Sequence, residues 1–224
     1  RADKDLLAAQ DELLQGLIEE AGITAVEDTD VSPLDSRLRL WKGDITTLAT
    51  DAIVNAANSG MTGCWAPLHY CIDNAIHTFA GIQLRYECAR IMIEQGCEEP
   101  TGQAKVTSAY NLPAKHVIHT VGPIANGEVN DKLKEQLASS YRSCLDAAVA
   151  AGDESIAFCC ISTGVFGFPA EEAAKVAVDT VREWLDQHEA ACASDNSHNP
   201  APTVVFNVFL DSDEEIYKKL LGFC

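Results

Sequence analysis

Between Gly63 and Asp73 the chain reads Gly-Cys-Trp-Ala-Pro-Leu-His-Tyr-Cys-Ile-Asp, its densest run of residues able to do chemistry. Cys64, His69 and Cys71 offer two sulfurs and an imidazole nitrogen, separated by four residues and then by one. Thiolate and imidazole are the donors that tetrahedral Zn2+ takes, and this spacing lets one loop wrap around one ion. A structural zinc has four protein ligands, whereas three ligands with an open fourth position form a catalytic site where water or substrate can bind. Asp73 or His77 could instead close the shell. The same residues also fit a plainer arrangement, two buried thiols beside an incidental histidine.

Two further segments place polar groups where an α/β sheet binds ligands. Trp41-Lys-Gly-Asp-Ile-Thr46 and Asp51-Ala-Ile-Val-Asn-Ala-Ala-Asn-Ser-Gly60 set Asp44, Asn55 and Asn58 directly after apolar strands. Ligand crevices lie at the carboxyl ends of such strands. Asp44 equally suits a cap on a helix starting at Ile45, and Asn58 a turn before Gly60. In Ile161-Ser-Thr-Gly-Val-Phe-Gly-Phe-Pro169, backbone amides from Ser162 to Gly167 and the helix start that follows could cradle a diphosphate without Lys or Arg. The loop is neither a Walker loop nor a GxGxxG fingerprint, and a tight turn explains its glycines as well. No G-x-S-x-G elbow surrounds Ser162, which argues against a serine hydrolase. His116 and His119 fall in an apolar strand and read as sheet residues.

The elements that must hold these groups alternate. Leu6, Leu7, Leu13, Leu14, Leu17 and Ile18 recur at mostly helical spacing over Leu6 to Glu20, ending at Gly22. Arg37 to Lys42 alternates as a strand. Strands are expected at 52–54, 105–107, 116–121, 155–161 and 203–210, and helices at 74–94, 132–151, 170–188 and 213–221, with a polar loop over 193–202. This order predicts an α/β fold with three layers, helices on both sides of a central sheet, in a main domain of residues 34–224 preceded by a helical extension of residues 1–33.

The chain has 224 residues, 47% hydrophobic and 22% charged, enough for one substantial core. A net charge of −18 excludes a broad nucleic-acid or anionic-membrane surface, because phosphate backbones are bound by clustered Lys and Arg. No apolar run is long enough to span a bilayer. Nine cysteines cannot all pair, and several lie in apolar stretches, so a reducing intracellular compartment is expected, cytoplasmic or mitochondrial. The chain starts at Arg1 rather than Met, which leaves room for a removed targeting peptide.

Taken together, Trp41-Lys-Gly-Asp-Ile-Thr46, Ala52-Ile-Val-Asn-Ala-Ala-Asn58, Tyr110 to Pro123 and Ile161 to Pro169 resemble, in order, the signatures of the macrodomain family. Within that family the Cys-x4-His-x-Cys-Ile-Asp-Asn segment is similar to the zinc-containing macrodomains of microbes, which also carry an N-terminal helical extension. In the more familiar hydrolytic members this loop is a glycine run ending in Val-Asp-Gly. The resemblance implies a mixed central sheet, Zn2+ as cofactor on Cys64, His69 and Cys71, and removal of mono-ADP-ribose from acidic side chains of proteins. It implies that Asp44 recognises the adenine amino group beside Ile45. Asn58 contacts the distal ribose, Ser162, Thr163, Gly164, Val165 and Phe166 hold the diphosphate, and Phe166 flanks the distal ribose. Asp73 takes the place of the catalytic aspartate, with Asn58 as its companion. Some relatives look linked to lipoyl-carrier proteins, which makes such a carrier a candidate target. A reader of ADP-ribose with a structural zinc and a hydrolase of O-acyl-ADP-ribose share the same pocket.

Overall fold

The computed structural model describes residues 2–66, 69–195 and 200–223. In chain order its elements are α1 (Lys4–Ala21), β1 (Thr24–Ala25), β2 (Asp30–Val31), β3 (Leu38–Lys42), β4 (Leu48–Ala49), β5 (Ala52–Ala56), α2 (Ile72–Ala80), α3 (Ile82–Gln95), β6 (Ala104–Ser108), β7 (His116–Thr120), α4 (Asp131–Ala151), β8 (Ser155–Phe158), α5 (Ala170–Asp195), β9 (Thr203–Val208) and α6 (Asp211–Leu221). Seven strands form one sheet in the order β2-β3-β9-β8-β5-β7-β6. The five inner strands are parallel, and β2 and β6 are antiparallel edges, so the sheet is mixed as expected. Helices α4, α5 and α6 pack side by side in one layer, and α1, α2 and α3 in the other.

The apolar runs explain the middle of the sheet. Ile53, Val54, Ile156, Ala157, Val204 and Val205 are successive residues on β5, β8 and β9, and all are buried. A strand that hides both faces needs continuous rather than alternating hydrophobicity. β5 lies between β8 and β7, whose chain connections leave it in opposite directions. The loops after β5 and β8 therefore diverge and open a crevice between them, the place where doubly wound sheets bind ligands.

The helix expected over 74–94 is two helices. Gly81, at φ 96°, interrupts it, a conformation no helix can pass through and one that glycine tolerates. The amino-terminal helix docks there: the Gln10 amide donates to Gln83 Oε1 at 2.7 Å, and Ile82 N–H donates back to Gln10 Oε1 at 3.1 Å. Of its apolar residues only Leu14 and Ile18 are buried, whereas Leu6, Leu13 and Leu17 are exposed. The stripe that packs is narrower than the leucine pattern suggests. Residues beyond α1 join the fold, since β1 pairs with β4 and β2 extends the main sheet.

Helix α5 continues to Asp195, into the stretch expected as a polar loop, of which residues 196–199 lie outside the described part. The last strand stops at Val208, leaving Phe209 and Leu210 exposed, because Asp211, Asp213 and Glu214 favour the amino-terminal turn of α6. The eight described cysteines are free; Cys224 lies outside the described residues.

Candidate active site

Asp73 is the buried centre of the crevice. It stands in the first turn of α2, 5% exposed, and its carboxylate faces the end of β5. The Asn55 amide donates to its Oδ1 at 2.8 Å and the Asn58 amide to its Oδ2 at 3.2 Å. Asn58 also makes the expected turn, accepting from Gly60 N–H at 2.9 Å and donating to the Gly63 carbonyl. The turn and the hold on Asp73 are thus roles of one side chain. Burial raises the Asp73 pKa, while the Asn55 amide, the Arg85 charge and the Asn58 amide oppose that rise.

His77, one turn along α2, brings Nε2 to 3.6 Å from Asp73 Oδ1. Neither of its ring nitrogens has a hydrogen-bond partner among the described residues. Burial, then Arg85, pushes its pKa down to about 4, so it is a neutral imidazole. Arg85 reaches the Thr62 carbonyl and lies 4.5 Å from the Trp65 ring centroid. Sequence reasoning offered His77 only as a metal ligand and missed Arg85; the i, i+4 spacing of Asp73 and His77 was the available signal.

The Cys64 sulfur lies 3.4 Å from His69 Nδ1, and the donor atoms of Cys64, His69 and Cys71 all lie within 4.8 Å of one another. The turn is tied to α2: Cys71 is its N-cap residue, and the Asn74 side chain donates to the His69 carbonyl at 3.1 Å. Burial, then the neighbouring Cys64, raises the Cys71 pKa. Two thiols this close resist ionising together unless a cation lies between them, and the donor set suits zinc. Neither candidate for a fourth ligand joins this group. Asp73 is turned to the two asparagines, and His77 clusters with Cys88 and His119. Pro67 and Leu68, inside the loop, lie outside the described residues.

On the far side of the crevice Ser162 takes φ 67°, and Phe168 N–H returns to its carbonyl at 2.9 Å. Ala125 and Asn126 donate to the Phe166 carbonyl and Gly127 to that of Gly167, which pins the loop to its neighbour. Among the described residues, the amides of Gly164, Val165 and Phe166 have no backbone acceptor, an opening suited to an anion. Among the described residues Ser162 Oγ is buried without a partner, and none of them forms a serine triad with it. Asp44 caps the short helix at Ile45, accepting from Thr46 N–H at 2.9 Å, and remains exposed. Its place is set by Gly43, whose carbonyl accepts from Asn207 at 2.9 Å. A separate hollow of about 550 Å3 lies by Asp51, Lys115 and Glu154, away from all these groups.

The macro domain family pattern matches residues 54–177. The chain belongs to the macro domain family. A protein-ADP-ribose hydrolase from Treponema medium is 55% identical over 223 residues, covering 98% of this chain and 81% of that one. A Trypanosoma brucei macrodomain solved in complex with ADP-ribose superposes with TM-score 0.74 at 33% identity, covering 89% of this chain and 77% of its own. The Oceanobacillus iheyensis macrodomain with ADP gives TM-score 0.71 at 36% identity, over 83% and 90% of the two chains.

The loops after β5 and β8 of this macro domain therefore carry two chemically different groups. One holds a buried carboxylate beside a thiol–imidazole group. The other offers unpaired backbone amides. Asp44 stands apart at the end of β3, and no described contact links it to Asp73.

Proposed function

We propose that this macro domain is a zinc-dependent hydrolase that removes mono-ADP-ribose from acidic side chains of modified proteins. The observation that carries the reading is Asp73, a buried carboxylate clamped by Asn55 and Asn58 at the foot of the Cys64–His69–Cys71 turn. Relatives named protein-ADP-ribose hydrolase, matched along most of their length, support the hydrolase part of the reading.

Asp44 would recognise the adenine amino group beside Ile45. The loop from Ser162 to Phe166 would take the diphosphate through the free amides of Gly164, Val165 and Phe166, since backbone dipoles hold an anion without side-chain charge. Phe166 would flank the distal ribose and Asn58 would contact it. Water attacks the anomeric carbon, its oxygen forms the new bond, and the bond from that carbon to the carboxyl oxygen of the modified side chain breaks. Asp73 accepts the proton of the attacking water, and the acidic side chain leaves as a carboxylate. Two amide donors keep Asp73 aimed while it is ionised. Cys64, His69 and Cys71 would hold the zinc, which when bound supplies Lewis-acid polarisation of an oxygen at the site.

The test is a substrate panel with the metal-loaded protein and with chelator. It comprises a protein mono-ADP-ribosylated on Glu or Asp, a mono-ADP-ribosylated lipoyl-carrier protein and O-acyl-ADP-ribose. Release of ADP-ribose from the proteins, abolished by chelator, is expected. Binding of ADP-ribose with no release from any of them would make the protein a reader. Release from the small metabolite alone would move the activity to that substrate.

A further inference from the structure

Asn55 holds Asp73 only because something holds Asn55. Its amide nitrogen donates to Asp73 Oδ1 at 2.8 Å and also meets His119 Nδ1 at 3.1 Å. An anionic carboxylate requires a donor, so the nitrogen rather than the oxygen of this amide must face it. His119 Nδ1 must then be the acceptor, and the ring proton is left on Nε2. That nitrogen lies 2.9 Å from Thr107 Oγ1, and the Thr107 hydroxyl has the Val117 carbonyl at 3.4 Å for its own proton. One tautomer satisfies every step from the sheet backbone to Asp73.

The sheet builds this chain by register. Asn55 is paired with His119 across β5 and β7, and Thr107 with Val117 across β6 and β7. A slip of one residue would turn these side chains to the opposite face. Asn55, His119 and Thr107 are all at most 2% exposed, so bulk solvent does not compete for these hydrogen bonds. Burial, with His77 adding to it, keeps His119 neutral, its pKa pushed down to about 3. The Cys88 sulfur is 3.7 Å from the same Nε2, and His77 completes a trio of potential ligand atoms. Both nitrogens of His119 already have partners, which makes the trio a packed cluster and not a metal shell.

We propose that Thr107 and His119 are positioning residues for the reaction: Thr107 selects the His119 tautomer, His119 fixes the Asn55 amide, and Asn55 presents its N–H to Asp73. This rests on the reading of Asp73 as the hydrolytic carboxylate. Neither Thr107 nor His119 touches the substrate, so their loss should lower kcat and spare ADP-ribose binding.

The deciding comparison is Thr107→Val with Thr107→Ser, nearly isosteric changes that remove or keep the hydroxyl. Thr107→Val is expected to lower kcat about fivefold to tenfold, the worth of one neutral buried hydrogen bond, with the ADP-ribose Kd within twofold of the parent. Thr107→Ser should keep kcat within twofold. His119→Gln, which can offer an oxygen to Asn55 and an N–H to Thr107, should retain more turnover than His119→Phe. Nitrogen-15 spectra of the unaltered protein should show His119 protonated at Nε2 alone. Full kcat in Thr107→Val, equal losses in kcat and affinity, or a proton on Nδ1 would each overturn the proposal. Asp73→Ala separates the two ideas. Full turnover in that variant removes the underlying reading, whereas an inactive Asp73→Ala beside a fully active Thr107→Val sinks only the relay.

Discussion

Asn58 and Asp73, 15 residues apart in sequence, meet at 3.2 Å because the turn that follows β5 folds the asparagine amide back toward the start of α2. Its oxygen fastens the turn at Gly60 and its nitrogen holds the carboxylate. Asn58→Asp preserves the first function and reverses the second, setting two carboxylates face to face. Turnover should fall about tenfold to a hundredfold and the melting temperature should fall with it, as measured by steady-state kinetics beside thermal unfolding. A large loss of stability with normal turnover would show that the contact is structural only.

Cys71→Ala removes one sulfur from the half-buried ligand group and leaves Asp73 and its two asparagines in place. Bound zinc, measured by elemental analysis after gel filtration, should fall from about one equivalent to a small fraction of that, and hydrolysis should fall with it. Full turnover without metal would remove the zinc from the account while leaving the family untouched.

Gly122 has a sharp steric reason to be glycine. A Cβ there would stand 2.1 Å from Ser162 Oγ and 2.7 Å from Ile161 Cγ2. Gly122→Ala must therefore push the start of the Ser162–Phe166 loop away from its neighbour, and on the proposed reading of that loop ADP-ribose affinity should weaken about tenfold by calorimetry. Adding Ser162→Gly relieves the closer of the two clashes and should restore part of the affinity. Unchanged affinity in Gly122→Ala would separate this loop from the diphosphate.

Stability should depend on pH through His77 and His119, whose pKa values are held down to about 4 and about 3. The unfolded chain takes up these protons near pH 6.5 and the folded chain only near pH 4 and below, so the unfolded state binds more protons between those limits. Stability present above pH 6.5 is therefore lost as pH falls. For His77 the loss is about 3 kcal/mol by pH 4. Asp73, with its raised pKa, acts in the opposite direction over part of that range. Thermal unfolding from pH 7.5 to 4.5 should show a falling melting temperature, with a shallower fall in His77→Gln; parallel curves would contradict the assignment.

Much of this site was legible in the residues themselves. The apolar runs of β5, β8 and β9 announce buried parallel strands, and the Cys64, His69 and Cys71 spacing announces one convergent group. What local pattern cannot show is contact across strands. Asn55 faces His119 because β5 and β7 pair in one register, and Thr107 joins them from an edge strand that folds back antiparallel. Gly81 shows a second limit: apolar periodicity runs through it without a break, and only its φ of 96° divides α2 from α3.

On the proposed mechanism Asp73 acts on the bond rather than on the nucleotide. The most direct test is ADP-ribose release from a protein mono-ADP-ribosylated on Glu or Asp, measured for the parent and for Asp73→Ala, with ADP-ribose Kd measured for both. Release by the parent is expected, with a loss of about a hundredfold or more in the variant and Kd values within a few-fold of each other. Undiminished release by Asp73→Ala, or equal losses of release and affinity, would contradict that mechanism.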